Sequence, residues 1–413
     1  MKAEFGSALT LIVSIFFLVV LIVCVIILIV RTRKRRKNYD TESQSSNNYP
    51  FPQRRERTSP QLLPAATSGE ELDTKIRLAY GDWLSKYMLP DMELGREFLR
   101  SNVEKHWLRY QVTANSFEQG LAMLISVLMA GDDQSAQLRF DRLLAFCLAH
   151  PSAGSPDLVS WSIMPDVAAS KRLDPDFHSE TWISFALLAA LKQWGTSERF
   201  HYDVILCQRL DAMLKLSEAS DGSETDRFTG VFPPFFFDVF AKTTGDAHWL
   251  DMSRKLEKGA QEILESDTAL LMGDGSAEDA RLALLVLQLG LTGIWQEKSS
   301  WKRWSGKVEP IVRTAAAELP AKINSFGSGA GNEMGGFSPL SLLACSVPAA
   351  ICLADQELID SLWKTLVRAE TDKHDSRGAS LRLLAMYILS GNTWFSQVNW
   401  QELPAHTKPQ ETE

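Results

Sequence analysis

The sequence predicts an all-α protein in which one membrane helix precedes a large helical body. Segment after segment carries apolar residues at i, i+3, i+4 and i+7: GLAMLISVLMAG, RFDRLLAFCLAH, WISFALLAALKQWG, VILCQRLDAMLKL, ARLALLVLQLGLTGIW, PLSLLACSVPAAICLA and LRLLAMYILSG. Runs of alternating β-branched residues, the mark of half-buried strands, do not occur. Residues 8–30 hold no charge and are nearly all apolar.

The elements follow in order. Residues 1–7 form a short tail. Residues 8–30 rise about 35 Å as a helix, enough to cross a hydrocarbon core of about 30 Å. A cleaved signal peptide would have a shorter apolar core and a basic stretch before it. Here Arg31, Arg33, Lys34, Arg35, Arg36 and Lys37 follow the segment, and only Lys2 and Glu4 precede it. The positive-inside rule therefore expects a single-pass membrane protein, with the N-terminus outside and the globular body cytoplasmic. The expected lipid contact is the bilayer itself through residues 8–30. The basic run suits anionic headgroups as well. Residues 31–70 read as a basic, then Pro-, Ser- and Asn-rich disordered linker, because such composition buries too little apolar surface to fold. Residues 71–402 read as the body, with about a dozen helices separated by Gly, Pro, Asp and Ser. Residues 403–413 read as a disordered tail. Several body helices are apolar almost all round, which places them inside a two-layer toroid or a solenoid. No repeat of fixed period is visible, which counts against the solenoid.

Composition narrows the function. The chain has 413 residues, 45% of them apolar and 23% charged, and a net charge of −8. Since the positive cluster sits beside the membrane segment, the body is more acidic still, and a nucleic-acid partner is not expected. Five cysteines are scattered through apolar stretches without a CxxC, and seven histidines form no HExxH or HxH pattern. Neither a disulfide framework nor a metal site is expected, nor any cofactor. The Gly-rich stretch SFGSGAGNEMGG lacks the Lys-Ser/Thr ending and preceding strand of a phosphate-binding loop.

A series of motifs in order resembles glycoside hydrolase family 8, the endoglucanases, chitosanases and cellulases of bacterial cellulose synthesis. The run Ser116-Phe117-Glu118-Gln119-Gly120-Leu121-Ala122-Met123 resembles the family's S-E-G-Q-G-Y-G-M. Phe140-Asp141-Arg142-Leu143 resembles F-D-x-L, and Leu158-Val159-Ser160-Trp161 stands for L-x-x-W. DPDFHSETWISFALLAALKQWG stands at the family's A-S/T-D-x-D helix. Thr229-Gly230-Val231-Phe232-Pro233-Pro234, Glu278-Asp279-Ala280-Arg281 and Gly336-Phe337-Ser338-Pro339-Leu340 match three further segments. The resemblance spans nearly the whole body and implies an (α/α)6 barrel.

The family's chemistry is inverting hydrolysis. One carboxylic acid protonates the leaving oxygen, and a second carboxylate, about 6.5–9.5 Å away, activates water. By resemblance the acid belongs at Phe117, which has no proton to give. Glu118 is the next residue, rotated about 100° around the helix. A local slip would make it the acid. Its plainer reading is a carboxylate favoured at a helix N-terminus, and that reading is preferred because catalysis tolerates little displacement. Asp279 matches the general base, with a helix-start acid as its plainer reading. His178 replaces a family Asp near the scissile bond, Glu180 matches a second acid there, and Phe232 replaces a Tyr. With Trp161, these three residues are the candidate substrate-binding set.

Two functions remain open at this level. One is a catalytically impaired accessory of exopolysaccharide, cellulose-type, biosynthesis, whose partners would be a β-glucan chain or polysaccharide synthase subunits. The other is an active, inverting endo-β-1,4-glucanase-like hydrolase. Phe117 and the cytoplasmic topology favour the first.

Overall fold

The computed structural model of the protein describes residues 46–53, 63–106, 109–165, 172–218, 234–265, 276–296, 299–325 and 337–400. The predicted membrane segment 8–30, the basic run, the Gly-rich stretch 326–336, Phe232 and the tail 403–413 lie outside the described residues. Among the described residues no helix is long and apolar enough to cross a membrane. The chain divides into Met1–Gln44 and Ser45–Glu413, and the described residues all belong to the second unit.

Twelve α-helices occur among the described residues. They are α1 (Gly69–Tyr87), α2 (Ser116–Leu128), α3 (Ala136–Ala149), α4 (Phe177–Trp194), α5 (Tyr202–Glu218), α6 (Pro234–Thr244), α7 (His248–Leu264), α8 (Ala277–Trp295), α9 (Ser299–Ser325), α10 (Pro339–Leu353), α11 (Gln356–Arg368) and α12 (Ser376–Ser390). Their starts are written in the sequence. Ser68, Asn115, Asp176, Ser276, Ser338, Asp355 and Asp375 each accept a hydrogen bond from a first-turn amide, which satisfies one of the donors that a helix start leaves free.

The even-numbered helices form an inner ring. α2 packs on α4, α6 on α8, α8 on α10, α10 on α12, and α12 returns to α2. Ring contacts join α4 to α6, with Trp182 5.2 Å from Phe236 and Phe185 stacked 4.0 Å from Phe236. α3, α5, α7, α9 and α11 each pack on the inner helix before them, and α1 packs on α12. The expected all-α barrel is thus present. Burial follows the layers. Every residue of α2 is buried, whereas α11 buries one stripe, Leu358, Ile359, Leu362, Trp363 and Leu366, as an outer amphipathic helix should. Small residues set the closest crossing: a Cβ on Gly290 of α8 would lie 2.3 Å from the Ala349 nitrogen of α10.

Inner helices α2, α4 and α12 run in the same direction. At one end Phe117 meets His178, and Glu118 meets Ser376. At the other, the Tyr387 hydroxyl lies 3.0 Å from the Met129 sulfur. We call the end that holds the N-termini of α2, α4, α8, α10 and α12 the mouth and the opposite end the base. The base is filled by the residues after α12, where Phe395 packs 5.1 Å from Phe185 and 5.0 Å from Trp295, and Trp400 packs on Phe185 and Phe235.

The structure departs from the sequence-based expectation in two places. Short strands are present. β1 (Met88–Pro90) pairs with β2 (Glu97–Leu99), β3 (Asn102–His106) with β4 (Arg109–Asn115), and β4 with β5 (Ser162–Ile163), all antiparallel. They are short and partly polar, so they lack the alternating β-branched run that announces a strand. The reading of 31–70 as disordered linker also fails over residues 46–53 and 63–68. Phe51 is buried, Tyr49 stacks on Trp394 at 4.2 Å, and the Ala65 amide donates to Asp360 at 2.8 Å. Two aromatic side chains, Tyr49 and Phe51, each followed by a proline, find sockets on the barrel that composition does not reveal.

Cys147 and Cys345 are buried thiols, and burial pushes the Cys147 thiol up to about 12, which leaves it unreactive. No cluster of three or more His, Cys, Asp or Glu suited to a metal occurs among the described residues.

Candidate functional site

The mouth gathers the first turns of α2, α4, α8, α10 and α12, and Glu118, His178, Glu180 and Asp279 are each aimed by their place in such a turn. β4 leads directly into α2, whose start is fixed twice. The Asn115 side chain accepts from the Phe117 amide at 2.9 Å, and the Ser116 amide donates to the Trp161 carbonyl at 3.1 Å. One helical step then separates Phe117 from Glu118, and the two part company. The Phe117 ring turns to α4, 5.0 Å from the His178 ring and 5.8 Å edge-on to Trp182. The Glu118 carboxylate turns to α12, where it accepts from the Ser376 hydroxyl and lies 3.4 Å from the Arg377 guanidinium. The two are held by different neighbours, as the rotation of about 100° per residue requires.

Glu118 is 2% exposed. Burial raises its pKa, and the Arg377 charge and the hydroxyls of Ser376 and Ser101 act against that rise. Its neighbour Asp375 is also raised by burial. Asp375 caps α12 through the Gly378 amide at 2.8 Å and accepts from the Ser338 hydroxyl of the α10 cap at 2.6 Å. Only a glycine fits at 378, where a Cβ would lie 2.1 Å from the Asp375 carboxylate. Arg377 lies over the Phe337 ring at 5.2 Å. The starts of α2, α10 and α12 are therefore fastened together by two buried carboxylates and one guanidinium.

Of the other candidates, His178 is buried between Phe117 and Trp182. Asp279 is buried in the first turn of α8, its amide donating to the Ser276 hydroxyl at 3.1 Å. It holds the third position of α8, as Glu118 does of α2. Trp161 is 48% exposed, next to the start of α2 that its carbonyl helps to fix. Phe232 lies outside the described residues.

Glu180 does not fit the sugar-binding role assigned to it. It is fully buried, accepts from the Val159 amide at 2.7 Å and pairs with Arg209 of α5. Arg209 in turn donates to the Asp157 carbonyl at 2.9 Å. The pair ties α4, α5 and the 157–159 loop together, with burial pushing the Glu180 carboxyl up to about 7 against the pull of Arg209. Arg209, Ser376 and Arg377 are the residues that sequence reasoning missed. Their partners lie 29 or more positions away, beyond any local motif.

Comparison with known proteins places this arrangement. No protein-family profile matches the chain. An endoglucanase of Bacillus sp. (strain KSM-330) is 29% identical over 381 residues, covering 84% of this chain and 81% of the relative. The apo structure of a β-1,3-1,4-glucanase from Paenibacillus sp. X4 superposes with a TM-score of 0.67 at 20% identity, over 84% of this chain and all of that one. A cold-adapted family 8 xylanase superposes with a TM-score of 0.57 at 15% identity, over 84% and 96% of the two chains. The chain is thus similar in sequence to an endoglucanase and shares its fold with a β-1,3-1,4-glucanase and a family 8 xylanase.

Proposed function

We propose that this protein is a membrane-anchored accessory of bacterial exopolysaccharide, cellulose-type, synthesis that holds a β-glucan chain or a synthase subunit without cutting it. The Phe117 ring supports this reading most. By resemblance the proton donor belongs at that position, and a phenyl ring packed on His178 supplies no proton. Glu118 does not replace it in this reading, because its carboxyl is buried against Ser376 and Arg377 and would have to leave both to reach a leaving oxygen. The exposed indole of Trp161 suits stacking on a pyranose face. Anchoring and a cytoplasmic body rest on the apolar run 8–30 and the basic cluster after it. A topology reporter fused after Glu413 checks the sidedness.

A second reading has its own support. Glu118 and Asp279 both occupy the third position of an inner helix, and Glu118 is held toward its protonated form, as a general acid must be. The deciding experiment incubates the full chain with carboxymethyl-cellulose and with chitosan and measures new reducing ends. The accessory reading expects sugar binding with no release above that of Asp279→Asn. Release that disappears in folded Glu118→Gln and Asp279→Asn variants would establish an inverting endo-β-1,4-glucanase-like hydrolase instead.

A further inference from the structure

We infer that the base of the barrel is a built recognition site for a short non-helical segment of aromatic residues and prolines, filled here by residues 47–53 of the same chain. The barrel supplies both halves of a peptide-binding groove. Its polar half comes from the ends of three inner helices. The Gln193 side chain accepts from the Tyr49 amide at 2.7 Å and donates to the Tyr49 carbonyl at 3.0 Å. The Ala130 carbonyl accepts from the Phe51 amide at 2.6 Å, and the Asn392 side chain accepts from the Gln53 amide at 2.8 Å. A further clamp at the entry runs from the Trp194 indole to the Asn47 side chain at 2.8 Å.

The apolar half is a pair of sockets for alternate side chains. Tyr49 lies flat on Trp394, with the planes 9° apart, and Phe51 stands edge-on to Tyr387 at 5.8 Å. Pro50 lies against Gly131, whose φ of +97° suits glycine and where a Cβ would come within 2.6 Å of the proline ring. Backbone hydrogen bonds give such a site its affinity, and alternate side-chain pockets give it selectivity. The barrel side of the site uses α2, α4 and the residues after α12, so an occupied groove also ties the end of the ring to its beginning. This inference is independent of whether the mouth cleaves or only holds a glycan.

The test uses the full chain in detergent. In the wild type, amide exchange at Tyr49 and Phe51 should be slower than in a free peptide of residues 46–53 by about 100-fold or more. The Tyr49→Ala/Phe51→Ala variant should melt lower by about 4 °C or more. The same peptide added in trans should raise the melting temperature of that variant and leave the wild type unchanged, since its groove is full. Exchange at the free-peptide rate in the wild type overturns the inference, as does a folded variant as stable as the wild type. If the double variant does not fold, the wild-type exchange rates decide alone.

Discussion

Glu180 shows how far one residue's role can lie from its motif. In the sequence it stands two positions after His178 and matches a family acid. In the structure its carboxylate is occupied by Val159 and Arg209. Nothing local announces this, because the guanidinium comes from another helix. Burial raises the carboxyl to about 7, so the folded state binds more protons than the unfolded one. Stability is then greatest below the unfolded carboxylate pKa near 4.5 and declines as pH rises toward 7. Glu180→Gln should flatten that decline in thermal melts between pH 4 and pH 8. Melting curves that keep the wild-type pH slope would show that another group sets it. Phe117 and His178, the two positions where the resemblance expects polar groups near the reacting bond, instead meet ring to ring.

Among the elements, the helices were plain in the sequence and the connections were not. All seven periodic apolar segments lie on helices, with capping residues where helix starts need them. Strands β1 to β5 went unread because none carries an alternating β-branched run and each gets its pairing from its neighbours. The crossing of α8 and α10 was hidden too, since a glycine within a helical period signals only a small loss of propensity. Its reason is spatial: at Gly290 the backbone of α10 lies where a Cβ would be. Gly290→Ala should therefore cost far more than the usual gain from alanine in a helix. We expect a loss of about 3 kcal/mol or more, or failure to accumulate as folded protein, read by urea titration. An unchanged midpoint would mean that the two helices can separate freely.

At the scale of the whole molecule, the mouth carries the candidate chemistry and the base carries the closure. Trp161 is half exposed at the mouth and its backbone, not its ring, fixes the start of α2. Trp161→Ala should then lower β-glucan affinity by about tenfold, the worth of one aromatic stacking partner, while moving the melting temperature by less than about 2 °C. Affinity electrophoresis against soluble β-glucan, with a melt of the same sample, separates the two effects. Equal affinity would remove the indole from the binding surface. Sequence periodicity carried the number of helices and their two-layer arrangement. It could not carry the ring, because closure depends on residues 258 or more positions apart, such as Glu118 with Ser376 and Tyr387 with Met129.

That separation has a consequence for synthesis. Helix α2, buried along its whole length, emerges from the ribosome about 250 positions before α12, and Phe395 and Trp400, which fill the base, come later still. At about 5–20 residues per second, the nascent chain exposes an unpaired apolar edge for roughly 10–50 seconds before the ring can shut. A cell making this protein must shield that edge throughout elongation, and stalled or prematurely ended chains should be the forms that aggregate.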